Sequence, residues 1–171
     1  MANRRIQGFT LFELMLTLGL AAVLMGLAAP SISDFIRSSR ISGASRELVV
    51  DFALARDEAV MRAARVTVCT STDMTTCTNQ SWEHGRLIFV DGGVVGTIDG
   101  ADEVLVRTEP PGAGITTGST GIAAPNMVSF GINGRLTGTG VIEVCIEGQR
   151  QRQISLSRSG QAMLNRTDTA C

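Results

Sequence analysis

The chain begins with one long apolar stretch. From Gly8 onwards it reads GFTLFELMLTLGLAAVLMGLAA, in which Glu13 is the only charged residue. The 21 residues that follow Gly8 would form a helix about 30 Å long, which matches the hydrocarbon core of a bilayer. The preceding MANRRIQ carries two arginines and no acid, a bias that keeps an N-terminus on the cytoplasmic side. We therefore expect a transmembrane segment over residues 9–30 and export of residues 31–171.

The apolar pattern changes to an amphipathic one after Pro30. From Ser31 to Val66, apolar residues mostly recur three or four positions apart, with arginines and acids between them. This spacing is typical of a helix with one apolar face. Pro30 marks the joint, because a proline inside a helix removes a hydrogen bond and kinks the helix. We expect the membrane helix to continue into an amphipathic one.

The rest of the chain has the alternating pattern of β-strands. Short apolar runs are bounded by glycine, proline, asparagine and serine, as in strands joined by turns. The predicted strands are Val66–Thr70, Arg86–Val90, Glu103–Arg107, Met127–Gly131, Gly140–Ile146 and Gln153–Ser157. Gly112–Pro125, rich in glycine and threonine, is predicted to be a mobile surface loop. Asn133-Gly134 predicts a hairpin and Ser159-Gly160 a turn.

A long helix followed by several short strands predicts an α+β fold. The apolar stripe of the helix is expected to pack on a C-terminal antiparallel β-sheet or β-sandwich, with Trp82 and Phe89 in the core. Residues 31–171 are enough for one domain with a core and too few for two. We therefore expect a single head.

All the cysteines lie in the part that is expected to be exported. They are Cys69, Cys77, Cys145 and Cys171. An oxidising periplasm permits disulfides, and four cysteines allow three pairings. Cys69 and Cys77 are close enough to close a local loop, and Cys171 as the final residue makes best sense if it ties the tail to Cys145. Zinc is the alternative, opposed by the lack of C-x-x-C pairs and by the single histidine.

Charge is unevenly distributed along the chain. The 15 basic residues are all arginines and face 16 acids, so the net charge argues against strong nonspecific binding to nucleic acid. Residues 73–109 hold seven acids and two arginines, whereas residues 110–171 hold three acids and five arginines. Such an asymmetry can mark an interaction surface.

No catalytic or metal-binding pattern is visible. His84 stands in a predicted loop without a nucleophile motif, so it is interpreted as a surface or packing residue. Asp91, Asp99, Asp102 and Glu103 could gather around calcium through their oxygens, but their spacing fits no calcium loop. We expect neither an enzyme nor a cofactor, which disfavours a secreted hydrolase.

The motif at the start of the apolar stretch is specific. Gly8-Phe9-Thr10-Leu11-Phe12-Glu13-Leu14 resembles the leader junction of type IV prepilins and type II secretion pseudopilins. The resemblance implies that a prepilin peptidase of the inner membrane cuts after Gly8 and methylates the new N-terminus at Phe9. It implies that Glu13 pairs with the N-terminal amine of a neighbouring subunit. An ordinary signal peptide cut near Ala29 is the alternative, opposed by the length of the apolar run and by the glutamate inside it.

The order of motifs in the head resembles the GspH/FimT family of minor pilins and pseudopilins. The resemblance is carried by Trp82-x-x-Gly85, Phe89-Val90-Asp91, Asp99–Arg107, the Cys145 strand, Arg152–Ser157 and Gly160. It implies a structural subunit with a single membrane pass and a periplasmic head, which assembles with other pilins. The filament is either a type IV pilus or the pseudopilus of type II secretion, where a minor pseudopilin acts in protein export without DNA binding.

Four arginines of the basic C-terminal part are candidates for binding DNA. Arg150 and Arg152 stand in a predicted hairpin connection, with Arg158 in the next turn and Arg135 in the turn before. Guanidinium groups suit phosphate, and phosphate contacts supply most nonspecific affinity for double-stranded DNA. Some FimT-type minor pilins bind DNA in natural transformation through a Gly-Arg-x-Arg loop here. In this chain Gln149 displaces the arginine pair by one, and the alternative is a solvated turn.

Overall fold

The structure is a computed structural model that describes residues 9–100, 102–122 and 126–171. Gly8 and the rest of the leader lie outside the described residues, as does Pro125 at the end of the predicted loop. The side chains of residues 27–30 are also outside the described part of the chain. The kink expected at Pro30 falls within these four residues and stays a prediction.

One helix, α1, spans Leu11–Arg62. It begins where the Thr10 hydroxyl accepts a hydrogen bond from the backbone N–H of Glu13 at 3.2 Å, which satisfies one of the free donors of the first turn. It ends at Arg62, and the next residue, Ala63, has a φ of 48° in the left-handed region. The predicted continuation of the apolar helix into an amphipathic one is observed.

The contacts divide the chain into a unit that ends at Ile36 and a compact unit, Arg37–Cys171, called the head below. In the first unit, every large apolar side chain described between Phe9 and Ile36 is exposed. Among the described residues no single helix is both long and apolar enough to cross a bilayer, although Leu11–Gly26 and Ser31–Arg62 meet the requirement together as a bent pair.

Within the head, α1 buries one stripe of side chains. The stripe residues recur three or four positions apart and are less than a tenth exposed: Ile41, Ala44, Leu48, Phe52, Ala55 and Ala59. They pack in a single core with the inner faces of the strands. Trp82 lies against Phe52 in an edge-on contact with ring centroids 5.4 Å apart. The predicted amphipathic helix is therefore correct in its buried positions, and Trp82 and Phe89 are in the core as expected.

Eight strands form two antiparallel sheets. They are β1 (Val66–Ser71), β2 (Gly85–Val90), β3 (Glu103–Thr108), β4 (Ile115–Thr120), β5 (Met127–Phe130), β6 (Gly140–Ile146), β7 (Arg150–Leu156) and β8 (Ala162–Ala170). The strand orders are β3-β2-β1-β5 and β4-β6-β7-β8. The head is therefore α+β, with sheets that complete the core around the helix.

Two disulfides join the chain at Cys69–Cys77 and at Cys145–Cys171, across sequence separations of 8 and 26 residues. These are the two pairs expected among the three possible arrangements. Cys69 is fully buried beside Leu87 and Phe89 in a second cluster, on the face of the first sheet away from α1. The local disulfide therefore anchors the polar loop after β1 to this cluster.

The strands differ from the predicted ones at three places. Gly112–Pro125 is not all loop, because Ile115 is buried and its segment pairs with β6 as β4. The last strand, β8, was missed because its side chains are mostly exposed and give no alternation to detect. Asn133-Gly134 does form a tight turn, with Gly134 at φ 68°, but only the bridge Phe130–Leu136 follows it. The chain then crosses from β5 in one sheet to β6 in the other.

Candidate functional site

The turn between β6 and β7 is shorter than the sequence predicts. Gly148, at φ 79°, occupies a left-handed conformation, and the N–H of Gln149 bonds to the carbonyl of Ile146 at 3.0 Å. The strand resumes at Arg150. Arg150 and Arg152 therefore belong to β7 and not to a solvated connection.

Arg152 faces the interior of the head. Only 8% of its surface is exposed, and it shares the inner face of β7 with Ile154 and Leu156. Its Nη2 donates to the Ser42 hydroxyl at 3.3 Å, and its Nη1 approaches the carbonyl of Arg150 at 3.5 Å. Burial, and then the positive charge of Arg166, lower the pKa of this guanidinium.

Arg150 lies on the outside of the same end and has a partner. Its Nη1 forms an ion pair with Asp168 Oδ1 at 2.5 Å, and both side chains are well exposed. An exposed pair of this kind contributes little to stability but reduces the charge available to an external anion. A variant changed at both Arg150 and Arg152 would therefore lose one buried and one paired arginine.

Arg135 and Arg158 lie together at the other end of β7. The N–H of Leu136, next to Arg135, donates to the carbonyl of Arg158 at 3.1 Å, and both arginines are exposed. The two turns approach so closely that a Cβ on Gly160 would clash with the Gly134 carbonyl oxygen. The four candidate arginines are thus not one surface, because about 20 Å of extended strand, at ~3.3 Å per residue, separates Arg152 from Arg158.

Three further arginines extend these two groups, and sequence reasoning did not find them. Arg56 on α1 donates from Nε to the carbonyl of Gly134 at 3.3 Å, beside Arg135 and Arg158. Arg166 stands directly opposite Arg152 in the β7–β8 register. Arg37 reaches the β6–β7 turn, because its Nη1 lies 3.3 Å from the position of a Cβ on Gly148. None of these contacts leaves a signal in sequence spacing, since each joins distant parts of the chain.

A cleft of about 720 Å³ opens beside β5. Its apolar lining includes Ile122, Leu136 and Leu156, and Arg65 and Arg135 also line it. The Arg65 guanidinium is already paired with Asp91 at 3.1 Å. The cleft therefore places Arg135 beside an open apolar surface.

The acidic residues considered for calcium are held by the protein itself. Asp91 accepts from the Thr67 hydroxyl at 2.6 Å and from the N–H of Gly96 at 2.9 Å. Asp102 accepts from the N–H groups of Gly92 and Asp99, at 2.7 and 2.9 Å. In the residues that the structure describes, no group of three or more His, Cys, Asp or Glu could hold a metal ion. These carboxylates shape the loop between β2 and β3.

A buried ion cluster joins α1 to β2. Arg86 is fully buried; its Nε lies 2.7 Å from Asp51 Oδ2 and its Nη2 lies 3.2 Å from Glu47 Oε2. Burial raises the pKa of Asp51, although the charge of Arg86 opposes this. The cluster was not predicted, because Arg86 lies in a predicted strand and the strand pattern does not show which acid of the helix faces it.

Glu13 lies in the first turn of α1 and is exposed. No ion pair of Glu13 occurs among the described residues. A carboxylate at this position is favoured by the positive end of the helix dipole. The Glu13 carboxylate can therefore pair with a cation that is not among the described residues.

Comparison with known proteins gives two family matches and a shared fold. The family described as type II transport protein GspH matches residues 44–160, and the prokaryotic N-terminal methylation motif matches residues 3–29. The minor pilin FimU of the Pseudomonas aeruginosa type IV pilus is 21% identical, with 80% of this chain and 99% of that one covered at a TM-score of 0.61. The minor pseudopilin EpsH of the Vibrio cholerae type 2 secretion system is 13% identical, with 76% and 99% covered at a TM-score of 0.53. At these identities the likeness shows the fold, and no curated protein sequence matches.

Proposed function

Because this chain belongs to the GspH family of type II transport proteins, and so is a minor pilin or pseudopilin, we propose that it is made as a precursor and built into a filament. Residues 1–8 are the leader, which prepilin peptidase removes after Gly8 with methylation of Phe9. Residues 9–30 anchor the chain in the inner membrane, and residues 31–171 lie in the periplasm until assembly. The methylation motif over residues 3–29 supports this proposal most directly.

The two parts of α1 support this division of roles. The described apolar side chains before the head are exposed, so they are free to contact lipid or neighbouring subunits. Within the head the same helix buries a stripe in the core. The family is structural, and we propose no catalytic step for the chain. The filament is a type IV pilus or a type II secretion pseudopilus, and recovery of the protein from sheared pili distinguishes the first from the second.

Glu13→Ala is expected to be cut and methylated normally yet to be depleted from filaments. We propose that the Glu13 carboxylate pairs with the N-terminal amine of a neighbouring subunit. Loss of one partner of a desolvated ion pair costs on the order of 3 kcal/mol, or roughly a hundredfold in association. The measurement is the amount of protein in filaments relative to the membrane fraction.

The matched control for Glu13→Ala is Thr17→Ala, one helical turn further along. Within the described residues the Thr17 hydroxyl bonds only to the backbone carbonyl of Leu14, at 2.9 Å, so its loss should leave assembly unchanged. Glu13→Asp, which keeps the charge, should retain part of the assembly. Wild-type abundance of Glu13→Ala in filaments would show that the charge has no role in assembly.

Contact with double-stranded DNA is a second candidate function. One observation favours it: Arg135 and Arg158 are exposed and adjacent, with Arg56 beside them. Arg152 is buried and Arg150 is paired with Asp168, so they contribute less than the sequence suggests. We propose that any DNA contact, as in uptake for natural transformation, is made by the Arg135–Arg158 end of the head.

Arg135→Gln with Arg158→Gln is expected to remove most DNA retardation at low salt. Two phosphate contacts correspond to a slope of log affinity against log salt of about −1.8, at ~0.9 per phosphate. The assay is a mobility shift of the full chain in neutral lipid nanodiscs with duplexes of unrelated sequence. Arg37→Gln with Arg166→Gln is the control of equal charge and should bind like the wild type. If the Arg135/Arg158 variant bound DNA as tightly as the wild type, the Arg135–Arg158 end of the head would be excluded as the DNA-binding surface.

A further inference from the structure

The cleft beside β5 is bounded by both sheets. Met127 and Val128 of β5 line it from the first sheet, and Leu156 of β7 lines it from the second. Val95 and Ile132 also line it and are 50% and 62% exposed. An apolar cleft of about 720 Å³ that continues into exposed apolar side chains is a typical place for a ligand or a partner to bury apolar groups.

One edge of β5 lies open along this cleft. β5 is the last strand of its sheet and pairs with β1 only. Immediately before β5, the carbonyl of Asn126 accepts from the N–H of Thr70 in β1 at 3.1 Å. Backbone groups alternate in direction along a strand, so those of Met127 and Ser129 point away from β1. In the described residues the only bridge on that side of β5 is made by Phe130, so the backbone edge before it has no strand partner.

The charged residues of the cleft are positive. Arg65 and Arg135 line it, and no acid occurs among the described lining residues. The Arg65 guanidinium is paired with Asp91 at 3.1 Å, whereas Arg135 is exposed and has no ion pair in the part of the chain that the structure describes. Arg158 and Arg56 lie beside Arg135 and add to the positive charge. A carboxylate that entered the cleft would therefore be attracted to Arg135.

We propose that the cleft binds an extended segment of another protein, which adds to the free edge of β5 as a further strand and directs a carboxylate to Arg135. The outward backbone groups of Met127 and Ser129 need a hydrogen-bonding partner, which an extended peptide supplies and a purely apolar ligand does not. Alternate side chains of an added strand face the apolar cleft. The segment is therefore apolar at alternate positions and carries an acid. Every described lining residue belongs to the head, so this site does not depend on the proposed membrane anchor.

The probe is a labelled peptide of alternating valine and threonine that ends in glutamate. Its binding to the full chain in neutral lipid nanodiscs is measured by fluorescence anisotropy. A matched peptide that is methylated at alternate backbone nitrogens cannot pair as a strand, and it should bind roughly tenfold more weakly because backbone hydrogen bonds are lost. A matched peptide that ends in lysine should bind roughly fivefold more weakly, since it loses the ion pair with Arg135.

Two pairs of variants test the backbone edge and the charge separately. Ser129→Pro removes an N–H that points away from β1, where proline is tolerated on an edge strand, and should weaken binding of the unmethylated peptide roughly fivefold. Ser129→Ala loses the same hydroxyl contact with Thr67 but keeps the N–H, and should bind like the wild type. Arg135→Gln should weaken binding roughly threefold to fivefold. Arg46→Gln changes an exposed arginine of α1 that does not line the cleft, and should have no effect. Trp82 fluorescence checks that each head is folded.

Equal binding of the methylated and unmethylated peptides would overturn the proposal, and this comparison needs no variant to fold. Octanoate that slows amide exchange of residues 127–129 when the peptide does not would assign the cleft to amphipathic anions. Paired discs that Ser129→Pro abolishes would make a second copy of the chain the occupant. Either result overturns the assignment to a segment of another protein.

The peptide site and the DNA candidate can fail independently. Ser129→Pro keeps Arg135 and Arg158, so DNA retardation by this variant should equal that of the wild type while its peptide binding falls. Loss of DNA retardation with unchanged peptide binding would overturn the assignment of the β5 edge, because the substitution would then act on the arginines.

Discussion

Gly8→Val is expected to accumulate as an uncut precursor in the inner membrane, with no detectable incorporation into filaments. The methylation motif match over residues 3–29 contains Gly8, and a glycine at the proposed cleavage site leaves no side chain for the peptidase to accommodate. A branched side chain there obstructs the approach to the peptide bond, so cleavage should fall by orders of magnitude. Intact mass of the membrane-bound protein measures retention of the leader and absence of the N-terminal methyl group.

The control for Gly8→Val is Gly19→Val, inside the apolar helix. Nothing lies within 4 Å of a Cβ at Gly19, so a side chain is tolerated there. This variant should be cut normally. Normal cutting of Gly8→Val would contradict the leader assignment, and cutting near Ala29 would instead indicate an ordinary signal peptide.

Asp51→Ala is expected to destabilise the head by about 3–5 kcal/mol, since it leaves Arg86 buried beside a single carboxylate. The Arg86 side chain is 0% exposed, and its Nη1 and Nη2 have no hydrogen-bond partner in the described part of the chain. Trp82, the only tryptophan, is buried against Phe52 and reports unfolding by fluorescence. Urea titration of the full chain in neutral nanodiscs gives the free energy of unfolding.

Two further variants separate charge burial from simple loss of contacts. Glu47→Ala removes the partner that is 44% exposed, so it should cost less than about 1 kcal/mol. Asp51→Leu with Arg86→Met removes both buried charges and should recover most of the stability lost in Asp51→Ala. Equal losses of unfolding free energy for Asp51→Ala and Glu47→Ala would contradict the view that Asp51 matters more because it is buried.

The sequence predicts the helix and the central strands because their periodicity is strong. Stripe residues such as Leu48 and Phe52 recur at helical spacing, and β6 was placed correctly over Gly140–Ile146. Two of the four edge strands, β4 and β8, are different: each pairs on one side only and buries few side chains, so its alternation is weak. Their pairing partners, and not their own composition, fix them as strands.

The surroundings of Arg150 and Arg152 could not be predicted from the sequence. Arg150 and Arg152 are two residues apart, yet one is exposed and paired while the other is almost enclosed. Residues two apart in a regular strand share a face, so alternation alone would give these two arginines the same surroundings. A bulge between Arg150 and Arg152 shifts that register against β8 and cannot be read from composition.

The buried stripe of α1 also has a mechanical consequence. From Ile41 to Ala59 it extends about 27 Å along the helix at ~1.5 Å per residue. A pull along the helix axis would load these contacts in shear, all at the same time, and the Asp51–Arg86 pair lies near the middle of the stripe. Contacts that are loaded together share the applied force. A sideways pull at one end of the helix would instead break the contacts one after another, each at a lower force. The head is thus built to resist extension along its helix more strongly than a sideways pull at either end.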